Sequence, residues 1–240
     1  MSGRLHAGTS GFAYQSWVPR FYPTGLRGDG LLAFYGSRLD ACELNNTFYR
    51  QPSPERVAAW LAAVPASFRF TVKAQRAAAY RSLRVDPGAS VPWLTGPYRH
   101  FGERLGSVLF RVPAEFERDD RALAGLLAVW PIDLPLTIEF EHPSWHVDET
   151  FEALETAGAA LCTTDLPEAE APPIRRTARF LYLRLRRHDY GPADLSSWAG
   201  RIEPFLTAGD DAFVFFRHDD VGRGAELALA FRAEVERLRG

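Results

Sequence analysis

Eight short apolar runs recur along this chain at intervals of 21 to 37 residues, with helical patterns between most of them. They begin at Leu5, Ala41, Phe68, Leu105, Leu136, Ala159, Phe180 and Asp211. A strand-plus-helix unit occupies about 30 residues, so eight runs at this spacing fit eight such units. The chain's 240 residues match the usual length of one α/β barrel. An open, doubly wound sheet is the rival. That class often carries a glycine-rich phosphate loop after its first strand. Here the first strand leads into GTSGFAYQSW, which has neither G-x-G-x-x-G nor the G-K-[ST] ending of a P-loop. No Gly/Ser linker or charge run divides the sequence. The expectation is therefore a single (β/α)8 TIM barrel, α/β in class, over residues 1–240.

The helix signals fit that frame. Ser53 with Pro54 reads as an N-terminal cap, as does Asp119 or Asp120 before Leu123, Leu126 and Leu127. Asp148 opens another helix, and Gly158 stops it. Leu195, Trp198, Ile202 and Phe205 repeat at helical spacing, as do Leu227, Phe231, Val235 and Leu238. The sixth unit is irregular: DLPEAEAPPIRR has three prolines and no helical period, so a loop is expected there. The stretch from Ala74 to Arg104 reads as a long loop with a short helix near Pro97.

Charge and cysteine content narrow the function. Twenty-eight cationic side chains against 30 acidic ones leave a formal charge of −2, so no bulk positive field marks a nucleic-acid binder. Cys42 and Cys162 are far apart and have no metal-ligand spacing, which fits reduced thiols in a cytoplasmic protein. The N-terminus lacks a signal peptide's apolar core, and no run approaches the ~20 apolar residues of a membrane span. Lys73 is the chain's single lysine.

In a barrel, chemistry sits at the C-terminal ends of the strands. Here the runs turn polar toward those ends on alternate positions. Glu43, Asn45 and Thr47 share one face, as do Thr71 and Lys73. Glu139 and Glu141 alternate with Ile138 and Phe140, and Arg184 and Arg186 with Leu183 and Leu185. Arg111 and Asp165 end their strands, and Arg217 and Asp219 share a face. Charges inside a barrel are unfavourable unless paired or hydrated, so this ring implies a polar mouth. A structural salt-bridge network is the plainer explanation of any single member. Phe12, Tyr14, Trp17, Tyr49 and Trp145 fall in loops over that mouth, where they either pack or stack on a planar ligand. His142, His188 and His218 follow three strands, but no H-x-H or H-E-x-x-H spacing supports a metal site.

Seven ordered segments resemble the YecE-like family, domain-of-unknown-function family 72: GTSGFAYQSWVPRFYP, ELNNTFYRQP, FRFTVKAQR, LGSVLFRVPAEF, IEFEHPSW, FLYLRLRRHDY and FVFFRHDD. The resemblance runs nearly the whole chain. It implies a TIM barrel and no established reaction. Thr9, Ser10, Glu43, Asn45, Tyr49, Lys73, Glu139, His142, Trp145, Asp165 and Arg184 match motif positions. The sequence departs from the family pattern after the third motif, which reads AAAYRSL in place of a Thr-His pair. It also departs at Glu141, where arginine is frequent, and at His218 and Asp219, where asparagines are.

The functional expectation is an enzyme, a hydrolase by default, acting on a small anionic or phosphate-bearing ligand. Glu43, Glu139 or Asp165 would carry the proton. Lys73, Arg111, Arg184 and Arg186 would bind the anion, with Thr9, Ser10, Asn45, Tyr49, His142 and Trp145 around it. Lys73 is expected to sit against Glu43 or Glu139 as an anion anchor. If burial and arginine repulsion prevail over a carboxylate, it becomes instead an amine able to form a Schiff base. The alternatives are a nucleic-acid or nucleotide binder, a metal-dependent barrel nuclease needing a divalent metal, and a glycosidase using two carboxylates. No cofactor, membrane or protein partner is called for by the sequence.

Overall fold

The sequence folds into a closed barrel in the computed structural model, which describes residues 2–28, 30–167 and 169–240. Its strands are β1 (Leu5–Ser10), β2 (Ala41–Leu44), β3 (Arg69–Lys73), β4 (Leu105–Val112), β5 (Leu136–Phe140), β6 (Ala160–Asp165), β7 (Phe180–Leu185) and β8 (Asp211–Phe216). Each pairs in parallel with the next, and β8 closes on β1. Both faces of these strands are buried, so they read as near-continuous apolar runs.

Helices α1 (Gly30–Arg38), α2 (Pro54–Ala62), α5 (Asp120–Val129), α6 (Asp148–Ala157), α7 (Pro192–Ala208) and α8 (Arg223–Arg239) surround the barrel, together with α3 (Arg76–Arg84) and α4 (Pro87–Thr95). The expected caps form: Ser53 accepts from the Arg56 amide, and Asp119 from the Ala122 amide. Gly158 ends α6 at φ 67°, a left-handed conformation that suits glycine. Between β6 and β7 there is no helix among the described residues, as the proline-rich sequence predicts.

The stretch after β3 corrects the sequence reading. It is not a long loop but two α-helices and a 3-10 segment, Gly96–Arg104. Gln75 caps α3 by accepting from Ala78, and Asp86 caps α4 by accepting from Ala89, with Pro87 at the first position.

Two apolar clusters fill the fold. The larger lies between the strands and the helices. The smaller plugs the barrel itself, with Ala41, Leu109, Cys162, Tyr182, Phe213 and Phe215. Gly8 lets α1 close on the wall. A Cβ there would lie 1.9 Å from the Ala41 carbonyl oxygen. The Tyr35 hydroxyl of α1 occupies this region, accepting from the Thr9 amide at 2.8 Å and donating to the Ala41 carbonyl at 3.0 Å.

Candidate functional site

Inward-pointing positions of β2, β5 and β7 converge above the apolar plug. Arg184 donates from Nη1 to both Glu139 oxygens at 2.7 Å and from Nη2 to Glu43 at 2.9 Å. Relative exposures of 0%, 3% and 4% for Glu43, Glu139 and Arg184 place all three out of bulk water. Hydroxyls complete the carboxylates' shells: Ser10 and Tyr182 each donate to Glu43 at 2.8 Å, and Thr164 donates to Glu139 at 2.9 Å. Tyr182 in turn meets the Thr71 hydroxyl at 3.0 Å.

This pairing fixes the charges. Burial pushes both glutamates up, but Arg184 and the hydroxyl donors outweigh it. The Glu43 carboxyl is held below its ordinary value and that of Glu139 falls to about 2. Burial works against the Arg184 charge, yet its two carboxylates hold it well above the usual value. The Arg184 Nε–H is buried without a protein acceptor.

A cavity of about 810 Å³ opens beside this triad. Its lining includes Arg111, Glu139, Glu141, Thr164, Arg184 and Arg186. Arg111 is engaged by Glu141 in a bidentate pair. Arg186 meets no carboxylate among the described residues. Burial first, then Arg184, holds its guanidinium below the ordinary value. Arg217 contacts His188 at 3.4 Å and likewise lacks a carboxylate partner among the described residues.

Lys73 is the main departure at the mouth. Arg184 has taken both glutamates, so the expected lysine–glutamate pair does not form. The ammonium lies 4.5 Å from the centroid of the Phe48 ring.

Asp165 is not at the mouth. Its carboxylate faces the helices, accepting from Arg187 at 3.0 Å, Tyr190 at 2.9 Å and Trp198 at 3.2 Å. The parity of β6 explains this: Thr164 points inward to Glu139, so its neighbour points outward. Thr9 also faces outward, its hydroxyl 2.9 Å from that of Tyr35 and donating to the Gly11 carbonyl.

Asn45 and Thr47 do not extend β2, because residues Asn45–Phe48 form a 3-10 turn. Asn45 remains beside the Tyr14 hydroxyl, and burial of that phenol pushes it up to about 12. Thr47 is spent on the Leu44 and Lys73 carbonyls. Trp145 is packing: it stacks on Phe140 at 4.5 Å and donates to the Phe116 carbonyl. His142 caps a turn through Ser144. Tyr49 is 79% exposed. The three histidines build no metal-ligand cluster among the described residues. Sequence reasoning missed Tyr182 and Thr164 as carboxylate partners, although each lies two residues from an inward position on its own strand.

The family described as "Protein of unknown function DUF72" matches residues 6–239. The chain belongs to the DUF72 family. A DUF72 protein of Thermotoga maritima MSB8 is 25% identical, with a TM-score of 0.80 over 97% of this chain and 99% of that one. A second, of Enterococcus faecalis V583, is 19% identical, with a TM-score of 0.78 over 98% of each chain. No curated protein matches this sequence. Three of the residues that depart from the DUF72 pattern have local accounts. Glu141 holds Arg111. His218 stacks on Tyr14 at 4.9 Å. Asp219 caps α8, accepting from the amides of Val221, Arg223 and Gly224. No helix among the described residues is long and apolar enough to cross a membrane.

Proposed function

We propose that the cavity beside Arg184 binds a small anionic or phosphate-bearing ligand and that the protein is an enzyme acting on it, with hydrolysis the default reaction. The observation that carries this reading is a pair of arginines, Arg184 and Arg186, lining one cavity. Arg184 has a buried Nε–H without a protein acceptor, and Arg186 has no carboxylate partner among the described residues. A buried donor left unmatched costs about 1–3 kcal/mol, so an acceptor belongs there. Arginine suits phosphate and carboxylate oxygens.

The two glutamates fit electrostatic and positioning roles. Both are held ionised by Arg184, so neither is the raised-pKa acid that a glycosidase requires.

A specific groove favours a nucleic-acid fragment as the second reading. Tyr49, Tyr80 and Phe116 line a cavity of about 830 Å³ with Arg76, Arg84 and Arg111. Aromatic faces and arginines together suit single strands, and such binding is steeply salt-dependent.

Calorimetry with inorganic phosphate, phosphate monoesters and a short oligonucleotide tests both. Arg186→Ala is expected to weaken phosphate binding by about tenfold to a hundredfold, the worth of a charged hydrogen bond. Unchanged affinity in that variant removes the reading.

A further inference from the structure

Lys73, like Arg186, is a half-buried cation near the mouth that no carboxylate pairs among the described residues. It is the last residue of β3, on the strand's inward face, and the only lysine in the chain. Among the described residues its ammonium has neither a hydrogen bond nor an ion pair, and it lies 4.5 Å from the centroid of the Phe48 ring. Thr47, in the turn that carries Phe48, donates to the Lys73 carbonyl at 2.8 Å and so ties the turn to β3. The nearby glutamates, Glu43 and Glu139, are both occupied by Arg184.

We propose that Lys73 is a nucleophile that forms an imine with a small carbonyl compound bearing an anionic group. The proposal rests on the anion-binding reading above: Arg184 and Arg111, whose charges act on Lys73, line the cavity that would hold the anionic group, within reach of the amine. An apolar ring against the amine, with the Arg184 and Arg111 charges nearby, is an environment in which a lysine amine becomes reactive. Burial, and next the repulsion of Arg184, hold the ammonium below the ordinary lysine value despite the two glutamates.

The chemistry balances without a redox partner. The Lys73 nitrogen lone pair attacks the carbonyl carbon, a C–N bond forms, and the carbonyl π pair moves to oxygen. A proton passes from nitrogen to that oxygen, giving a carbinolamine. The nitrogen lone pair then forms the C=N bond as the C–O bond breaks, and the departing hydroxide takes the remaining N–H proton and leaves as water. One water is released for each imine formed.

Borohydride trapping of the full chain tests this directly. Pyruvate, glyoxylate and glycolaldehyde phosphate are the anionic probes, with acetone and propanal as neutral controls. With one lysine in the chain, the other primary amine is the N-terminus, so peptide mapping separates the two sites. The anionic probes are expected to label Lys73 in the native protein, and Lys73→Arg is expected to lose that label. Label confined to the N-terminus overturns the proposal. So does Lys73 labelling that is equal for neutral and anionic probes, or equal in native and urea-unfolded protein. Calorimetry with inorganic phosphate separates the layers: phosphate binding without trapping removes the imine alone, whereas the absence of both removes the anion reading too. The position of the label on the native chain decides the matter even if a Lys73 variant fails to fold.

Discussion

A single nitrogen of Arg184, Nη1, donates to both carboxylate oxygens of Glu139 at 2.7 Å, and both residues are buried. Neutralising Glu139 leaves Arg184 with only one compensating charge, Glu43. Breaking a buried pair by removing one partner costs about 3–5 kcal/mol. Glu139→Ala is therefore expected to lower stability by that order in urea melts. A loss below about 1 kcal/mol, the scale of a surface ion pair, would mean that water reaches the pair.

The same pair sets an acid limit. The Glu139 carboxyl is held at about 2 in the folded chain, against an ordinary 4.5. A depressed carboxyl contributes stability fully above its unfolded value and loses it as pH falls through its folded value. The contribution should be intact at neutral pH and decline between 4.5 and about 2. Urea midpoints measured across that window should fall more steeply for the natural chain than for Glu139→Gln. Parallel curves would show that Glu139 does not carry the effect.

Asp165 separates structure from function. Its carboxylate satisfies Arg187, Tyr190 and Trp198 between β6 and α7. Asp165→Ala orphans two buried donors and is expected to cost about 2–3 kcal/mol. Phosphate affinity should not change. A variant of full stability that has lost ligand binding would return Asp165 to the site.

Cys42 faces the helix layer, whereas Cys162 belongs to the plug inside the barrel; both are buried free thiols. Burial pushes both thiols up. A thiol reagent should therefore react slowly with native protein and rapidly with two thiols after unfolding. Fast native reaction of either would contradict its burial.

Strand parity carried most of what could be read in advance. Glu43, Glu139 and Arg184 alternate with apolar residues, and that alternation places them inward. In ALCTTD apolar and polar residues do not alternate, so the sequence did not tell that Thr164 faces in and Asp165 out. Asn45 and Thr47 continued the period of β2, but the chain turns into a 3-10 segment after Leu44. Helix α4 was hidden because Pro92 interrupts it and apolar residues surround it, leaving no periodic stripe. The lysine–glutamate pair failed for a different reason. Alternation shows which groups share a space, but not which cation takes the carboxylates.

The Arg184–Glu43 contact joins residues 141 positions apart. Nothing local can form it; β2 and β7 meet in this way only after nearly all of the intervening chain has been ordered. The buried triad thus acts as a latch on a finished barrel, not as a seed for one. Interactions absent from a folding transition state govern how fast the native state opens. The strength of this charged cluster should accordingly be written into the lifetime of the folded chain, with refolding speed left to the local βα units that assemble before it.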